Sequence, residues 1–284
     1  MEFNSIVFPS PDFDINDAKN TNELIYIPKQ INNNKIEYIP CLLLKDLTSN
    51  SKNFLLFFHG NAEDIFGAKV MADKLRMKLN INIIIIEYPG YSLYTSTPKS
   101  CETLLENTTI VYDYIKNTFK LDDNNIFVLG RSIGTSPAIY LSSIKKPNAL
   151  FIISAFTSIK AVAKNLVGPL NIFLKDRFFS SEYIKNVTCP IMLIHGQSDP
   201  LIPFAETLKL KDNCNCPYEV LLPEKMTHND FDLDLEIIEP IYDFMLRHCF
   251  IDQEKSNFDF NSPPLKNLYD TPEEILKILK SKYK

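Results

Sequence analysis

The sequence predicts an α/β fold: a mostly parallel sheet with an antiparallel hairpin at its N-terminal end and helices on both faces. Three observations support this prediction. Short apolar runs typical of buried strands alternate with longer segments of helical periodicity along most of the 284 residues. Glycine is rare, and most of the seven glycines end or follow an apolar run. No internal repeat or long linker breaks the alternation, which indicates right-handed βαβ crossovers in one domain over residues 1–250.

Composition narrows the class of function. Hydrophobic residues make up 45% and charged residues 23% of the chain, as in a soluble globular protein with a full core. The net charge of −5 gives no reason to expect nucleic acid as a partner. No apolar run approaches the roughly 18 residues of a membrane span, and the first residues lack the pattern of a signal peptide. Because residue 2 is Glu2 and not the glycine that N-myristoylation needs, we expect a cytoplasmic protein without that anchor.

The six cysteines do not form a recognisable framework. Cys214 and Cys216 make a C-x-C pair, but no C-x-x-C pair or nearby histidine supports a zinc site. In a cytosolic chain, such cysteines are expected to be reduced structural thiols.

Periodicity and turn residues predict the first strands. Residues 24–27 and 36–44 are expected to form an antiparallel hairpin, joined by a turn at the asparagines 32–34. Residues 54–58 are a continuous apolar run bounded by polar residues, which predicts a buried strand.

An amphipathic helix and a second buried strand follow. The helix is predicted at residues 62–79, with Glu63 and Asp64 in its first turn, where acidic groups suit the helix dipole. Residues 83–86 are too short and too β-branched for a free helix, and they predict a central strand. Proline and glycine break the next segment, 87–97, into a loop.

The chain repeats this alternation up to residue 250. Further strands are predicted at residues 126–129, 149–153, 190–194 and 218–222. Further helices are predicted at residues 100–119, 133–143, 203–210 and 231–247. Strands and helices at this spacing favour a parallel sheet covered on both faces.

Two segments fall outside the alternation. Residues 156–180 are irregular and apolar, and both a place in the core and a short lid or acyl-binding wall are compatible with them. Residues 251–284 are predicted to form a C-terminal tail, polar and at the surface at first and ending in a helix. Thr271 as N-cap, Pro272 in the first turn and Glu274 in a capping box predict where that helix begins.

Lysines cluster at the C-terminal end of this predicted helix. The residues concerned are Lys277, Lys280, Lys282 and Lys284. They fit a solvated face that complements the helix dipole, and they also leave peripheral contact with anionic lipid open.

The motif G-R-S-I-G at residues 130–134 lies between a predicted strand and a predicted helix. A G-x-S-x-G motif in this context is typical of a nucleophile elbow, a sharp turn that presents the serine hydroxyl above the edge of the sheet. The turn requires a strained backbone at Ser132 and almost no side chain at Gly130 and Gly134. We therefore predict Ser132 as a catalytic nucleophile, with a chance occurrence of the motif as the alternative.

A serine nucleophile needs a base, and the base needs an acid that orients it. His228 follows the predicted strand 218–222 by a short loop, and Asp199 follows the predicted strand 190–194. Both loops come after the carboxyl ends of strands, where ligands meet an open α/β sheet. The chain order Ser132, Asp199, His228 predicts nucleophile, acid and base in that order.

Other interpretations of these residues stay open. Asp199 is also suited to cap the helix that starts near residue 203. His59 and His195 each precede a glycine at the end of a strand, and they are expected to be structural because one imidazole base suffices.

The tetrahedral intermediate of acyl transfer needs two N–H donors for its oxyanion. We predict the backbone N–H groups of Ile133, next after the serine, and Asn61, in the loop after an earlier strand. Arg131 is expected to form an ion pair in preference to contacting substrate, with Glu87 as its candidate partner.

Five motifs in chain order now resemble a known family. They are F-H-G-N-A-E-D at residues 58–64, E-Y-P-G-Y-S at 87–92, G-R-S-I-G-T at 130–135, I-H-G-Q-S-D at 194–199 and H-N-D at 228–230. Together they are similar to the serine hydrolases of α/β-hydrolase-domain groups 17 and 13, also called Bem46-like. The resemblance covers residues 54–246.

The resemblance implies an α/β-hydrolase fold with Ser132, Asp199 and His228 as the catalytic triad. It also implies acyl esters or thioesters as substrates, and some members of the family remove palmitate from cysteines of membrane proteins. A protein depalmitoylase acting on a lipidated protein, a small-ester carboxylesterase or a lipase, and a non-catalytic binding protein on the same fold are the expected alternatives. The acyl-enzyme chemistry needs no metal or organic cofactor, and the oligomeric state stays open.

Overall fold

One sheet lies at the centre of the computed structural model, which describes residues 11, 14–32, 35–47, 51–95, 97–162, 177–249, 251, 258 and 266–281. Its eight strands within these residues are β1 Leu24–Asn32, β2 Lys35–Leu44, β3 Phe54–Phe58, β4 Asn82–Ile86, β5 Ile126–Arg131, β6 Ala149–Ile153, β7 Ile191–Ile194 and β8 Tyr218–Leu221. They lie in the order β1-β2-β4-β3-β5-β6-β7-β8.

The pairing of the strands is the one predicted. β1 and β2 form an antiparallel hairpin, and β2 also pairs antiparallel with β4. All other neighbours are parallel. β1 extends beyond the predicted residues 24–27 and buries Lys29, whose ammonium donates to Glu106 at 2.6 Å and Asn107 at 2.9 Å. Of the predicted turn 32–34, residues 33 and 34 lie outside the described residues.

Helices cover both faces of the sheet. Within the described residues they are α1 Ile15–Lys19, α2 Ile65–Leu79, α3 Cys101–Thr118, α4 Thr135–Ile144, α5 Ser180–Tyr183, α6 Ala205–Lys211, α7 Glu239–His248 and α8 Glu273–Ser281. A π-helical stretch, Leu233–Ile238, leads into α7. None of these helices combines the length and the apolar character needed to cross a bilayer.

Helix α2 begins three residues later than the sequence predicts. Asp64 is its N-cap, and the carboxylate accepts from the N–H groups of Phe66 at 3.1 Å and Gly67 at 2.9 Å. A capping carboxylate stabilises the free N–H groups of a first turn, so the helix starts after Asp64 and not before it. Glu63 is therefore outside the helix and available for another contact.

The central strands are apolar on both faces because each face contacts its own layer of helices. Leu56 of β3 and Ile84 of β4 face one apolar layer, which includes Leu104 of α3. Leu55 faces the opposite layer, which includes Leu75 of α2. This two-sided burial explains why β3 and β4 are continuous apolar runs without polar alternation.

Only the ends of the apolar segment 156–180 are described, and residues 163–176 lie outside the described residues. The N–H of Ile159 donates to the carbonyl of Arg177 at 3.1 Å, so the two ends lie side by side. Phe178 is 2% exposed and belongs to the core, whereas Phe179 is 44% exposed. Phe156 and Ile159 are buried in the same apolar layer as Phe178, so these three side chains belong to the core. A lid in the rest of the segment stays a prediction.

In the described part of residues 251–270, Lys266, Asn267 and Asp270 are exposed as predicted, but apolar side chains pack against the domain. The ring of Phe258 packs against Phe54 and Phe119, with centroids 5.9 Å and 5.3 Å apart. Leu268 is buried in the same apolar layer. Phe258 and Leu268 are isolated apolar residues in a polar stretch, so the hydrophobic periodicity of the sequence did not predict their burial. The helix beyond begins at Glu273, and residues 282–284 lie outside the described part.

Candidate active site

The serine of the G-x-S-x-G motif lies in a sharp turn between a strand and a helix. β5 ends at Arg131, a single 3₁₀ turn covers Ser132–Gly134, and α4 follows directly. Ser132 has a φ of +53°, in the left-handed region that residues other than glycine rarely adopt. The backbone is therefore strained at the residue where the sequence predicts it.

Neither glycine of the motif has room for a side chain. A Cβ atom at Gly134 would lie 2.1 Å from the carbonyl oxygen of Phe58 on the adjacent strand β3. A Cβ atom at Gly130 would lie 2.4 Å from the carbonyl oxygen of Gly134. Helix α4 can approach the sheet this closely only because neither position has a side chain.

Three side chains that the sequence singles out are in hydrogen-bond contact. Nε2 of His228 lies 2.9 Å from Oγ of Ser132, and Nδ1 of His228 lies 2.8 Å from Oδ2 of Asp199. The three residues follow β5, β7 and β8, whose carboxyl ends share one edge of the sheet. Ser132 and His228 are 7% and 8% exposed, so the contact is shielded from most of the solvent and open enough for a substrate.

Asp199 accepts hydrogen bonds on both carboxylate oxygens. Oδ1 accepts from the N–H groups of Leu201 at 2.8 Å and Ile202 at 2.9 Å, while Oδ2 lies 2.8 Å from His228 and 3.3 Å from Nε2 of His195. Burial acts to raise the pKa of Asp199, but the hydrogen bonds from His195, His228 and Ile202 lower it well below its usual value. The residue therefore orders its own loop and presents a charged oxygen to His228.

The loops that carry Asp199 and His228 pack closely against each other. A Cβ atom at Gly196 would lie 2.0 Å from the carbonyl oxygen of Met226, so only glycine allows this approach. The N–H of Ser198 donates to the same carbonyl at 3.2 Å. This contact fixes the separation of the two loops and hence of the two side chains.

The predicted oxyanion donors lie beside Ser132 on two different loops. Ile133 is the second residue of the 3₁₀ turn, where N–H groups have no partner within the helix. Asn61 borders a cavity of about 310 Å³ that Ser132 also lines. The Asn61 side chain accepts from the hydroxyl of Tyr91 at 2.7 Å, which holds the loop after β3 in place. Their role as oxyanion donors stays a prediction.

A buried ion pair links the loop after β3 to the loop after β4. Nδ1 of His59 donates to the carbonyl of Gly60 at 3.0 Å, so a proton is bound there, and Nε2 lies 3.3 Å from a carboxylate oxygen of Glu87. Burial acts to lower the pKa of His59, but the neighbouring carboxylate of Glu87 raises it above its usual value overall. Glu87 also accepts from the hydroxyl of Ser92 and the N–H of Tyr88. His59 is therefore structural, as expected.

Arg131 forms an ion pair as predicted, but the prediction of Glu87 as its partner is wrong. Glu87 is occupied by His59, and the guanidinium of Arg131 contacts Glu63 at 3.3 Å instead. Its other arm donates to the carbonyl of His228 at 3.0 Å and to the side chain of Asn229 at 2.8 Å. Glu63 was missed because the sequence places it in the first turn of a helix that in fact begins later.

His195 is fully buried and has defined partners. Nε2 donates to the carbonyl of Ile202 at 2.8 Å, and Nδ1 lies 2.7 Å from the hydroxyl oxygen of Thr207. The sequence does not predict the contact between His195 and Asp199. The two residues lie four positions apart in one loop, and that spacing alone does not indicate that their side chains meet. Within the described ranges, no three His, Cys, Asp or Glu side chains are arranged to hold a metal ion. The six cysteines are free thiols.

Comparison with known proteins identifies relatives of this chain. No protein-family model matches the chain. The Caenorhabditis elegans alpha/beta hydrolase domain-containing protein aho-3 is 30% identical over 225 residues, which are 79% of this chain and 65% of that protein's length. Human alpha/beta hydrolase domain-containing protein 17B is 28% identical over 207 residues, or 73% of this chain and 70% of that protein.

Solved structures with the same fold include two esterases. The Pyrococcus furiosus esterase Pf2001 superposes with a TM-score of 0.63 at 15% identity, covering 84% of this chain and 99% of that one. Est1E from Butyrivibrio proteoclasticus superposes with a TM-score of 0.59 at 15% identity, covering 79% and 98%. At this identity the likeness concerns the fold. The chain therefore has the α/β-hydrolase fold, and the alpha/beta hydrolase domain-containing proteins 17B and 17C are among its homologues.

Proposed function

We propose that this α/β-hydrolase is a serine hydrolase that cleaves acyl esters or thioesters through an acyl-enzyme intermediate. The observation that carries the proposal is the continuous hydrogen-bonded contact from Ser132 through His228 to Asp199, at 2.9 Å and 2.8 Å. A serine oxygen becomes a good nucleophile only when a base within hydrogen-bond reach accepts its proton.

The contacts define which atom accepts the proton. Asp199 is ionised and can only accept, so Nδ1 of His228 carries the proton between them. Nε2 is then free of a proton in the neutral imidazole and accepts the hydrogen of the Ser132 hydroxyl. As Ser132 attacks the carbonyl carbon, that proton moves to Nε2, and Asp199 stabilises the imidazolium that forms.

The remaining steps complete the acylation of Ser132 and then hydrolyse the acyl-enzyme. The N–H groups of Ile133 and Asn61 bind the oxyanion of the tetrahedral intermediate. His228 returns its proton to the leaving alcohol or thiol, and the acyl group remains on Ser132. Water, deprotonated by His228, then attacks the acyl-enzyme and releases the carboxylic acid.

The lining of the site favours an acyl substrate. Besides polar residues, the cavity of about 310 Å³ at Ser132 is bordered by Val162, Leu201 and Ile202. Apolar side chains next to a nucleophile suit a hydrocarbon chain, because burial of each methylene contributes about 0.8 kcal/mol. A lipidated protein with a thioester-linked chain fits the proposal, and a small-ester carboxylesterase or lipase is the alternative within the same mechanism.

Replacement of the nucleophile tests the mechanism. Ser132→Ala is expected to lower the rate of p-nitrophenyl acyl ester hydrolysis by at least about 10³-fold, because no acyl-enzyme can form. A fluorophosphonate probe is expected to label the parent protein and not this variant. Ser143→Ala, in the helix α4 that follows this turn, is the matched control and should keep full activity and labelling. Hydrolysis by Ser132→Ala at the parent rate would contradict the proposal.

An acyl-chain series distinguishes the substrate classes. Oxygen and sulfur esters from C2 to C16 would be compared by kcat/KM with the parent protein. An optimum at long chains with thioesters supports depalmitoylation, and a flat profile or a short-chain optimum supports a carboxylesterase. Both outcomes require the Ser132→Ala variant to be inactive with the same substrates.

A further inference from the structure

Arg131 lies where three loops of the candidate site meet. It is the last residue of β5 and directly precedes Ser132. Its guanidinium is 13% exposed and contacts residues from the loop after β3 and from the loop that carries His228. No other requirement of the elbow motif fixes this position as arginine, since it is a variable position of G-x-S-x-G.

One arm of the guanidinium holds the loop after β3 through Glu63. Nη1 of Arg131 lies 3.3 Å from Oε2 of Glu63, and the same oxygen accepts from the N–H of Gly60 at 2.8 Å. A Cβ atom at Gly60 would lie 2.7 Å from Nη1, so the absence of a side chain there makes room for Arg131. The ion pair therefore fixes the backbone that leads into Asn61.

The other arm holds the backbone of the base itself. Nη2 of Arg131 donates to the carbonyl oxygen of His228 at 3.0 Å and to Oδ1 of Asn229 at 2.8 Å. The ring of Phe231 lies beneath the guanidinium, with its centroid 5.7 Å from Cζ. Two hydrogen bonds and a cation–π contact fix the loop in more than one direction, which the planar, rigid fork of arginine allows and lysine does not.

These contacts bear on the geometry that the chemistry needs. Charge-assisted hydrogen bonds in a mostly buried site are stronger and more directional than neutral ones at the surface. The imidazole of His228 must stay within hydrogen-bond reach of Ser132, and a misplacement of about 1 Å can lower a rate by about 10²-fold. The hydrogen bond to the His228 carbonyl fixes the backbone of His228 and hence the position from which its imidazole extends.

We infer that Arg131 is a positioning residue: it sets the His228 loop and the Asn61 loop against the nucleophile through its bonds to the His228 carbonyl, Asn229 and Glu63. The inference deepens the proposed function and rests on it. Arg131 borders the cavity at Ser132, but its guanidinium bonds to Glu63, Asn229 and a backbone carbonyl and not to the reacting side-chain atoms. It therefore acts on kcat through the alignment of His228 and Asn61.

Arg131→Gln tests the inference by a split between kcat and KM. Loss of alignment is expected to lower kcat by about 10- to 100-fold. KM is expected to stay within about twofold because Val162, Leu201 and Ile202, the apolar residues that border the cavity, are unchanged. Arg131→Lys restores a charge without the planar fork and is expected to recover only part of kcat.

Arg76→Gln is the matched control. Arg76 is 12% exposed, pairs with Asp73 at 2.7 Å and donates to the carbonyl of Lys45 at 3.1 Å, but it lies at the end of α2, remote from Ser132. Its replacement removes a comparable guanidinium and is expected to lower stability with kcat unchanged. A purely structural role of Arg131 would give the same result as this control.

Glu63→Gln probes the same network with a smaller change. It keeps the size of the side chain and removes the charge, and we expect a fall in kcat of about threefold or more in the parent background. In the Arg131→Gln background the same change should have no further effect, because its partner is already absent. If Arg131→Gln does not fold, the single variant Glu63→Gln tests the inference in its place.

The outcomes separate this inference from the proposed function. If Ser132→Ala abolishes hydrolysis while Arg131→Gln or Glu63→Gln retains the parent kcat, Arg131 is not a positioning residue and the serine mechanism stands. If Arg131→Gln lowers kcat and melting temperature no more than Arg76→Gln does, the role is structural. If Ser132→Ala remains active, the proposed function itself fails, and the inference fails with it.

Discussion

Ser132 combines a polar reactive group with a backbone conformation that its side chain disfavours. Its φ of +53° costs an L-residue about 1–2 kcal/mol relative to ordinary helical or extended conformations. The cost persists because the close approach of Gly134 to Phe58 leaves the turn no alternative course. A strained residue held by its surroundings is typical of functional sites, where geometry is favoured over local stability.

The strain predicts an unusual order of stabilities at position 132. Ser132→Gly should be more stable than Ser132→Ala by roughly 0.5–1 kcal/mol, because glycine adopts a positive φ without steric cost and alanine does not. Urea denaturation monitored by circular dichroism measures the difference. At Ser143, in helix α4, the order should reverse, with glycine about 1 kcal/mol less stable than alanine. Equal stability of the two variants at position 132 would contradict the strain.

At this scale the sequence identifies the candidate triad but not its surroundings. Ser132, Asp199 and His228 were predictable because each follows a separate strand and the chain order matches one fold. The partner of Arg131 was not predictable, since Glu63 and Glu87 are both acids near strand ends. Only three-dimensional packing, which buries Glu87 against His59, decides between them.

Strands and loops are held together at the functional edge by buried polar contacts. His59 is the first residue after β3, and Glu87 is the first residue after β4. The imidazole stacks on the ring of Tyr88, with centroids 3.9 Å apart, and both charged side chains are fully buried. A buried pair of this kind is costly to break from one side, because the remaining charge then lacks a partner.

The raised pKa of His59 predicts a stability that falls as the pH rises. The charged form contributes stability that is fully present below the unfolded value of about 6.5 and is lost as the pH passes through the higher folded value. Urea midpoints of the parent protein should therefore fall more steeply between pH 6 and 9 than those of Glu87→Gln, which lacks the carboxylate. Parallel curves would show that His59 is not held in its charged form.

The boundaries of elements show where sequence patterns are sufficient. Strand β3 begins and ends at the predicted residues because polar residues border an uninterrupted apolar run. Helix α2 begins late because two acids in succession, Glu63 and Asp64, both suit a first turn, and only their partners distinguish a cap from a loop residue. β1 is longer than predicted because Lys29 finds two acceptors on α3, the buried amide of Asn107 and the exposed carboxylate of Glu106.

In the molecule as a whole, the C-terminal segment joins the two apolar layers. Leu268 belongs to the layer that contains α3, and Ile275 belongs to the opposite layer, which contains α2. The turn Asn267–Tyr269, which contains Leu268, contacts β1, the strand at the edge of the sheet. Covering an edge strand removes an open row of hydrogen-bonding groups. The sequence alone predicted a separate tail, because these anchors are single residues.

This packing predicts that α8 contributes to the stability of the fold. Ile275 is 2% exposed and Leu276, its neighbour on the same helix, is 37% exposed. Ile275→Ala should lower the free energy of unfolding by about 2–4 kcal/mol through lost burial and a residual cavity, whereas Leu276→Ala should change it by under about 1 kcal/mol. Urea denaturation of both variants gives the comparison. Equal, small effects would show that the C-terminal helix is a tail apart from the domain, and a large effect confined to Ile275 would make residues 266–281 part of one cooperative unit with the sheet.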